Sequence, residues 1–206
     1  MKKFDFKKFL KEERKLDRVI RFSAHTRIKD ESVSEHSFHV ALYAMILADL
    51  EEKFFKNKVN KEKVLKTALL HDLEECLTGD IIYDFKHIDE GLTREIKRMS
   101  QNFFERLMKN LSGEMAKDYI LLWAKSKDKK TIEGKIIEAA DKLEGLIYTL
   151  NEFSLGNKSF KPIIENYKKQ LKGLKLKSLN CLRLLGRLLK KSLFQLLLEY
   201  HISLSK

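Results

Sequence analysis

Residues 69–80 read LLHDLEECLTGD, a run apolar enough to be buried that nevertheless carries a histidine, an aspartate and two glutamates in adjacent positions. Burying an unpaired charge is costly, so such a cluster persists only where something compensates it. A metal ion is the obvious candidate. His36 in SVSEHS and Asp141 in AADKLEG extend the set. With the His71-Asp72 doublet they offer two imidazoles and two carboxylates, a mixed nitrogen and oxygen donor set suited to one divalent ion such as Mn, Co, Fe, Ni or Zn. The remaining coordination positions are open to water and a phosphate oxygen. Such an ion neutralises phosphate charge and lowers the pKa of a coordinated water, which is hydrolase chemistry. Each residue alone has a plainer reading: His36 as a satisfied core histidine, and Asp141 as a helix acid flanked by Glu138 and Glu144.

Helices must bring these residues together. Ser34 is a candidate N-cap, with Val33 and Phe38 as a hydrophobic staple, for a helix running to about Phe55. Along it His36 shares a face with Val40, Tyr43 and Leu47. Asn60 can cap a second helix that continues to a stop at Gly79, with Val64, Ala68, His71 and Glu75 in one stripe and Leu65, Leu69, Asp72 and Cys76 in the next. Glu75 then projects from the same surface as the doublet, whereas Glu74 beside it reads as solvated. A third helix spans Thr131 to Leu155, bounded by a threonine cap and Gly156, and places Asp141 on a largely apolar face. Further helices are expected over Phe4–Val19, Thr93–Leu111 and Glu114–Lys125, from Pro162, and over Leu174–Ile202, the last leucine-rich and cationic.

One proline and eight glycines in 206 residues supply little of the turn chemistry an all-β fold needs. The expectation is an all-α, single-domain helical bundle over 1–206, with a basic C-terminal segment at about 174–202. The net charge of +12 belongs mostly to the C-terminal quarter of the chain, because residues 156–206 hold 12 Lys/Arg against Glu165 and Glu199. A terminal helix with leucines on the body and lysines in water is the plainest reading of it. A dimer contact comes next, then contact with nucleic acid or an anionic membrane. Sparse aromatics, Phe194 and Tyr200, argue against a base-stacking platform. The charged N-terminus lacks an apolar signal core, and no run approaches the ~18 apolar residues of a membrane span, so a cytoplasmic protein is expected. Cys76 and Cys181 form no CxxC and are expected to be free thiols without a catalytic role.

SVSEHS, HDLEECLTGD and AADKLEG, in the order H…HD…D, together resemble the HD-domain metal-dependent phosphohydrolases, and within them most closely the bacterial 5'-deoxynucleotidase branch. The resemblance covers about Leu16 to Asn157. It implies an HD-type all-helical fold, a His-His-Asp-Asp metal site, homodimeric assembly and removal of phosphate from deoxynucleoside 5'-monophosphates. Carried over by position, His36, His71, Asp72 and Asp141 bind the metal. Glu75 serves as acid or base toward the attacking water, and Asp80 in proton transfer or substrate orientation. Arg21, selected over Arg18 and Arg27 only by its family spacing to His36, holds the phosphate through its forked guanidinium. Phe22 contacts the nucleoside, and Lys86 stands near the phosphate. His25 is placed to line the pocket. His39 has no counterpart and is read as packing, and His87 and His201 as surface or packing residues. After LTGD the family commonly continues with a proline and a small hydroxyl residue, where this chain has Ile81, Ile82 and Tyr83. Two other readings stand beside this one: an HD hydrolase of another nucleotide, an alarmone or a nucleoside triphosphate, and a non-catalytic basic binding protein with a structural metal.

Overall fold

Asp5 accepts a hydrogen bond from Lys8 N and opens a short helix, α1 (Phe6–Glu13), in a computed structural model that describes residues 4–126 and 128–179. The expected continuous helix to Val19 gives way to a 3-10 turn over Arg14–Arg18. Four of these five residues are charged, leaving no apolar stripe to continue, and only Leu16 is buried. Val19 and Val33 (Val33 N to Val19 O, 2.9 Å) and Arg21 and Glu31 (Arg21 N to Glu31 O, 2.9 Å) then pair across the polar segment and close it into a loop.

That loop delivers the chain to Ser32, which caps α2 (Val33–Lys53). Ser32 Oγ accepts from Glu35 N at 3.2 Å, and Glu35 Oε2 accepts from Ser32 N at 2.7 Å, a reciprocal capping box. This corrects the expected cap at Ser34, which has Ser37, not an acid or amide, three residues on. The expected staple also fails, since Val33 is buried and Phe38 is exposed. Asn60 caps α3 (Lys61–Leu70) as expected, accepting from Lys63 N at 2.9 Å. The helix does not run on to Gly79, however. Past Leu70 the chain tightens into three-residue bonds, among them Leu73 N to Leu70 O and Glu75 N to Asp72 O, before a last turn, α4 (Glu75–Thr78). His71 and Asp72 therefore stand at a helix tip, and Gly79 turns the chain away at φ +72°.

After α5 (Tyr83–Lys86), Asp89 caps α6 (Glu90–Met108), which starts and ends three residues earlier than expected. Next come α7 (Gly113–Ser126), α8 (Ile132–Ser154, capped by Thr131 through Gly134 N) and α9 (Lys161–Gly173, with Pro162 in its first turn). α2 packs on α3 and α8, and α8 packs on α9, around Val40, Ala44, Leu47, Val64, Ala68, Ile136 and Ala140. Full burial of each large aliphatic side chain stabilises the fold by about 1.5–3 kcal/mol. A second cluster of Leu73, Phe104, Leu107, Met108 and Trp123 supports the 71–74 turn from below. Gly145 permits the close approach of α8 and α9, because a Cβ there would lie 2.5 Å from the Tyr167 ring. Glu51, buried near the end of α2, accepts from Ser178 N at 2.6 Å and ties residues 174–179 to the core. Residues 174–176 are not helical, and from residue 180 onward the expected Leu174–Ile202 helix lies outside the described residues. The fold is all-α as expected, and no helix among the described residues is long and apolar enough to cross a membrane.

Candidate metal and phosphate site

His36 from α2, His71 and Asp72 from the tip of α3, and Asp141 from α8 converge. His71 Nε2 lies 3.0 Å from Asp72 Oδ2 and 3.3 Å from His36 Nε2. His36 Nε2 lies 3.5 Å from Asp72 Oδ2 and 3.6 Å from Asp141 Oδ1. The far nitrogens decide what these near ones offer. His71 Nδ1 is 2.7 Å from Ala68 O, which can only accept, so Nδ1 carries the proton. His36 Nδ1 is 2.5 Å from Glu144 Oε2 and donates likewise. Neutral imidazoles in this setting point two Nε2 lone pairs and two carboxylates at one region, and only positive charge reconciles them. Such a donor set fits a divalent cation.

The protonation tendencies reflect the same demand for positive charge. Burial opposes a charged His71, but Asp72 and Asp141 outweigh it and raise its pKa to about 9. Burial pushes against ionised Asp72 too, yet the two histidines hold it well below the usual carboxylate range. Asp141 stays at about 2 against burial, through Lys142, whose Nζ is 2.9 Å from Oδ2, and through the histidines. The Asp72 and Asp141 side chains are 29% and 27% exposed, so the cluster opens to solvent on its carboxylate side.

Behind His36 lies a charged layer in which Arg21 was expected and Glu31 and Glu144 were not. Arg21 Nη1 donates to Glu144 Oε2 and to Glu31 Oε2, at 2.6 Å each. Burial lowers the guanidinium's proton affinity, but Glu144 and Glu31 more than reverse this. Burial and the neighbouring Glu144 charge push Glu31 up to about 7. Glu144 stays at about 2, where the contacts to His36 and Arg21 overcome burial. The available signal was register: Glu144 lies three residues after Asp141 and shares its face of α8. Glu74 is a correction. Expected in solvent, it is buried and accepts from Trp123 Nε1 at 2.9 Å, because the 71–74 turn aims it at α7.

Glu75, at the start of α4, has its pKa raised well above the ordinary value by burial and by the charges of Asp72 and Asp80. Asp80 is also raised by burial, with Arg21 and the Phe22 N–H pulling the other way. That N–H donates to Asp80 Oδ2 at 3.1 Å and holds Phe22 at φ +54°, a left-handed conformation rare for an aromatic residue. Phe22 stacks on Tyr148 with centroids 5.1 Å apart, beneath the Arg21 guanidinium carbon at 5.2 Å. Lys86 is half-buried, and its charge acts on both Glu75 and Asp80. His25 packs at the edge of the Phe22 and Phe160 rings. His39 stacks on Tyr43, and His87 bonds Tyr83 O. His201 and Cys181 lie outside the described residues.

Residues 8–184 match the 5'-deoxynucleotidase YfbR-like family. The chain is 31% identical over 146 residues to a 5'-deoxynucleotidase of Pectobacterium atrosepticum, covering 71% of this chain and 73% of the relative. It is also 31% identical over 157 residues to one of Photorhabdus laumondii, covering 76% and 79%. An HD-domain phosphohydrolase of Listeria innocua superposes with a TM-score of 0.74 at 26% identity, covering 91% of this chain and 87% of that one. The PH0347 protein of Pyrococcus horikoshii shares the fold with a TM-score of 0.73 at 23% identity, covering 88% and 98%. With the match spanning every helix that carries the converging side chains, the chain belongs to the YfbR-like family of 5'-deoxynucleotidases.

Proposed function

We propose that this protein is a divalent-metal-dependent phosphohydrolase that removes the phosphate from deoxynucleoside 5'-monophosphates. The convergence of two imidazole lone pairs and two carboxylates, within one bonded network of the Arg21 guanidinium, carries this reading. His36, His71, Asp72 and Asp141 would hold one ion of the Mn, Co, Fe, Ni or Zn class. Such an ion, when bound, supplies neutralisation of phosphate charge and activation of water. Every described bond from the Arg21 side chain leaves through Nη1, which leaves Nη2 and Nε to meet a phosphate. Glu75, whose proton affinity is raised by burial and by the neighbouring acids, suits transfer of a proton to the departing sugar oxygen. Asp80 holds the Phe22 backbone, Phe22 would contact the nucleoside, and Lys86 adds positive charge beside the acids.

The reading includes a single-domain homodimer in the cytoplasm. An exposed apolar stripe on α2 supports the dimer. Cys76, a buried free thiol pushed up to about 12 chiefly by burial, suits a reducing compartment and no catalytic part. The test is product analysis on nucleoside mono-, di- and triphosphates, with metal-stripped protein resupplied with Mn, Co, Mg or Zn. Orthophosphate and nucleoside from deoxynucleoside monophosphates are expected. Pyrophosphate or tripolyphosphate would move the reading to an alarmone or triphosphate hydrolase. Turnover that survives rigorous metal removal would overturn it.

A further inference from the structure

Glu144 is 2% exposed and stands where the two halves of the site meet. One of its oxygens, Oε2, takes two donors: His36 Nδ1 at 2.5 Å and Arg21 Nη1 at 2.6 Å. Glu31, Glu144 and His36 bring their polar atoms within 4.8 Å of one another, a grouping that on distance alone resembles a second cation site. The guanidinium already bonds both carboxylates, so this group holds a cation of the protein itself. A carboxylate on the far nitrogen of a ligating histidine orients the ring, selects the tautomer that frees Nε2, and raises its basicity. A carboxylate on a guanidinium fixes the plane and direction of its remaining N–H groups.

We infer that Glu144 is a positioning residue that holds the metal ligand His36 and the phosphate-binding Arg21 in register through one shared oxygen. The Arg21 half of this inference rests on the phosphohydrolase reading above; the His36 half does not. Glu31 provides an internal contrast, since its side chain bonds Arg21 and, when protonated, the Glu144 carboxylate, while among the described residues no hydrogen bond joins it to His36. The two acids thus divide the work. Glu144 serves metal affinity and phosphate recognition together through its direct bonds to His36 and Arg21, and Glu31 serves chiefly phosphate recognition, with no direct bond to His36.

The experiment compares Glu144→Gln, Glu144→Asp and Glu31→Gln with wild type in three measurements. These are Mn affinity of the metal-stripped protein by calorimetry, KM and kcat for a deoxynucleoside monophosphate at saturating Mn, and the thermal midpoint. Glu144→Gln keeps the side-chain volume but has one amide oxygen of neutral strength for two donors. It is expected to weaken Mn binding by about 10–100-fold and to raise KM even when Mn saturates. Glu144→Asp keeps the charge, shortens the reach and falls between wild type and Glu144→Gln. Glu31→Gln raises KM with Mn affinity unchanged. If Glu144→Gln only lowers the thermal midpoint, with Mn affinity and KM as in wild type, the inference is overturned. Equal loss of Mn affinity in Glu31→Gln overturns it as well. Should Glu144→Gln not fold, loss of Mn affinity in Glu144→Asp but not in Glu31→Gln supports the inference, and no loss in either overturns it. Calorimetry needs no substrate, so a wild type that binds Mn but hydrolyses no nucleotide defeats the functional reading separately from the His36 half.

Discussion

Asp72 and Glu75 stand three residues apart and are shifted in opposite directions, Asp72 well below its ordinary value by the histidines and Glu75 well above it by burial and the charges of Asp72 and Asp80. Paired acids with diverging proton affinities divide into a charged ligand and a proton carrier. Asp72→Ala is therefore expected to lose both metal binding and phosphate release. Glu75→Gln should keep metal affinity and lose about 10²–10⁴-fold in kcat, the usual worth of a positioned acid or base. Calorimetry beside steady-state kinetics checks this, and equal loss of metal affinity in the two variants would make Glu75 a ligand instead. Glu31 yields a stability prediction with a definite sign. Its pKa rises from 4.5 to about 7 on folding, so the stability its proton supplies is fully present below 4.5 and is lost as pH climbs toward 7. Glu31→Gln cannot lose that contribution, and denaturant melts of the metal-stripped proteins should show the variant gaining on wild type across that window. A constant difference between them would refute the assignment. The four converging side chains were legible because each sits in a short segment of unusual composition. Glu144 was not, because its partner His36 is 108 residues away and only the packing of α2 on α8 pairs them. Locally it reads as one more helix acid.

Helix ends follow the same division between local and tertiary causes. Asn60, Thr131, Gly79 and Gly156 act through neighbouring backbone groups, and their roles as caps and stops could be read directly. The interruption at His71 could not, because hydrophobic periodicity runs smoothly through it. What ends α3 is the set of bonds that follows Leu70, together with the buried seats of Leu73 and Glu74 against α6 and α7. The start of α2 shows how two nearby serines compete. Ser32 has Glu35 to complete the reciprocal pair, and Ser34 does not. Ser32→Ala should therefore cost about 0.5–2 kcal/mol, while Ser34→Ala should stay within about 0.5 kcal/mol of wild type. Chemical denaturation of the two variants measures this directly, and equal effects would mean that the box does not hold the helix start. His36 lies on the first turns of this helix, so the cap also steadies one of the converging imidazoles.

At the scale of the whole molecule, scarcity of proline and glycine was enough to foresee an all-α chain, but composition does not say which helix faces stay uncovered. On α2 the exposed residues Phe38, Leu42, Met45 and Ile46 recur at the spacing of one helical face. Phe38, expected to pack against its own helix start, is 62% exposed. A contiguous apolar stripe of this kind marks an interaction surface. Self-association through a two-fold axis would cover it with an identical stripe, which is the least demanding way to match one surface to a partner. Wild type should therefore have twice the 24.3 kDa chain mass by light scattering, and Leu42→Glu with Ile46→Glu should halve it. His36 is buried whereas Leu42 and Ile46, about 120° and 80° away around the helix, are exposed, so the stripe and this imidazole lie on different faces. The double variant should accordingly keep the Mn affinity of wild type while becoming monomeric. Wild type that stays at the single-chain mass throughout the micromolar range would refute the dimer. A monomeric variant that loses Mn affinity would instead mean that the α2 contact is needed to hold His36 in place.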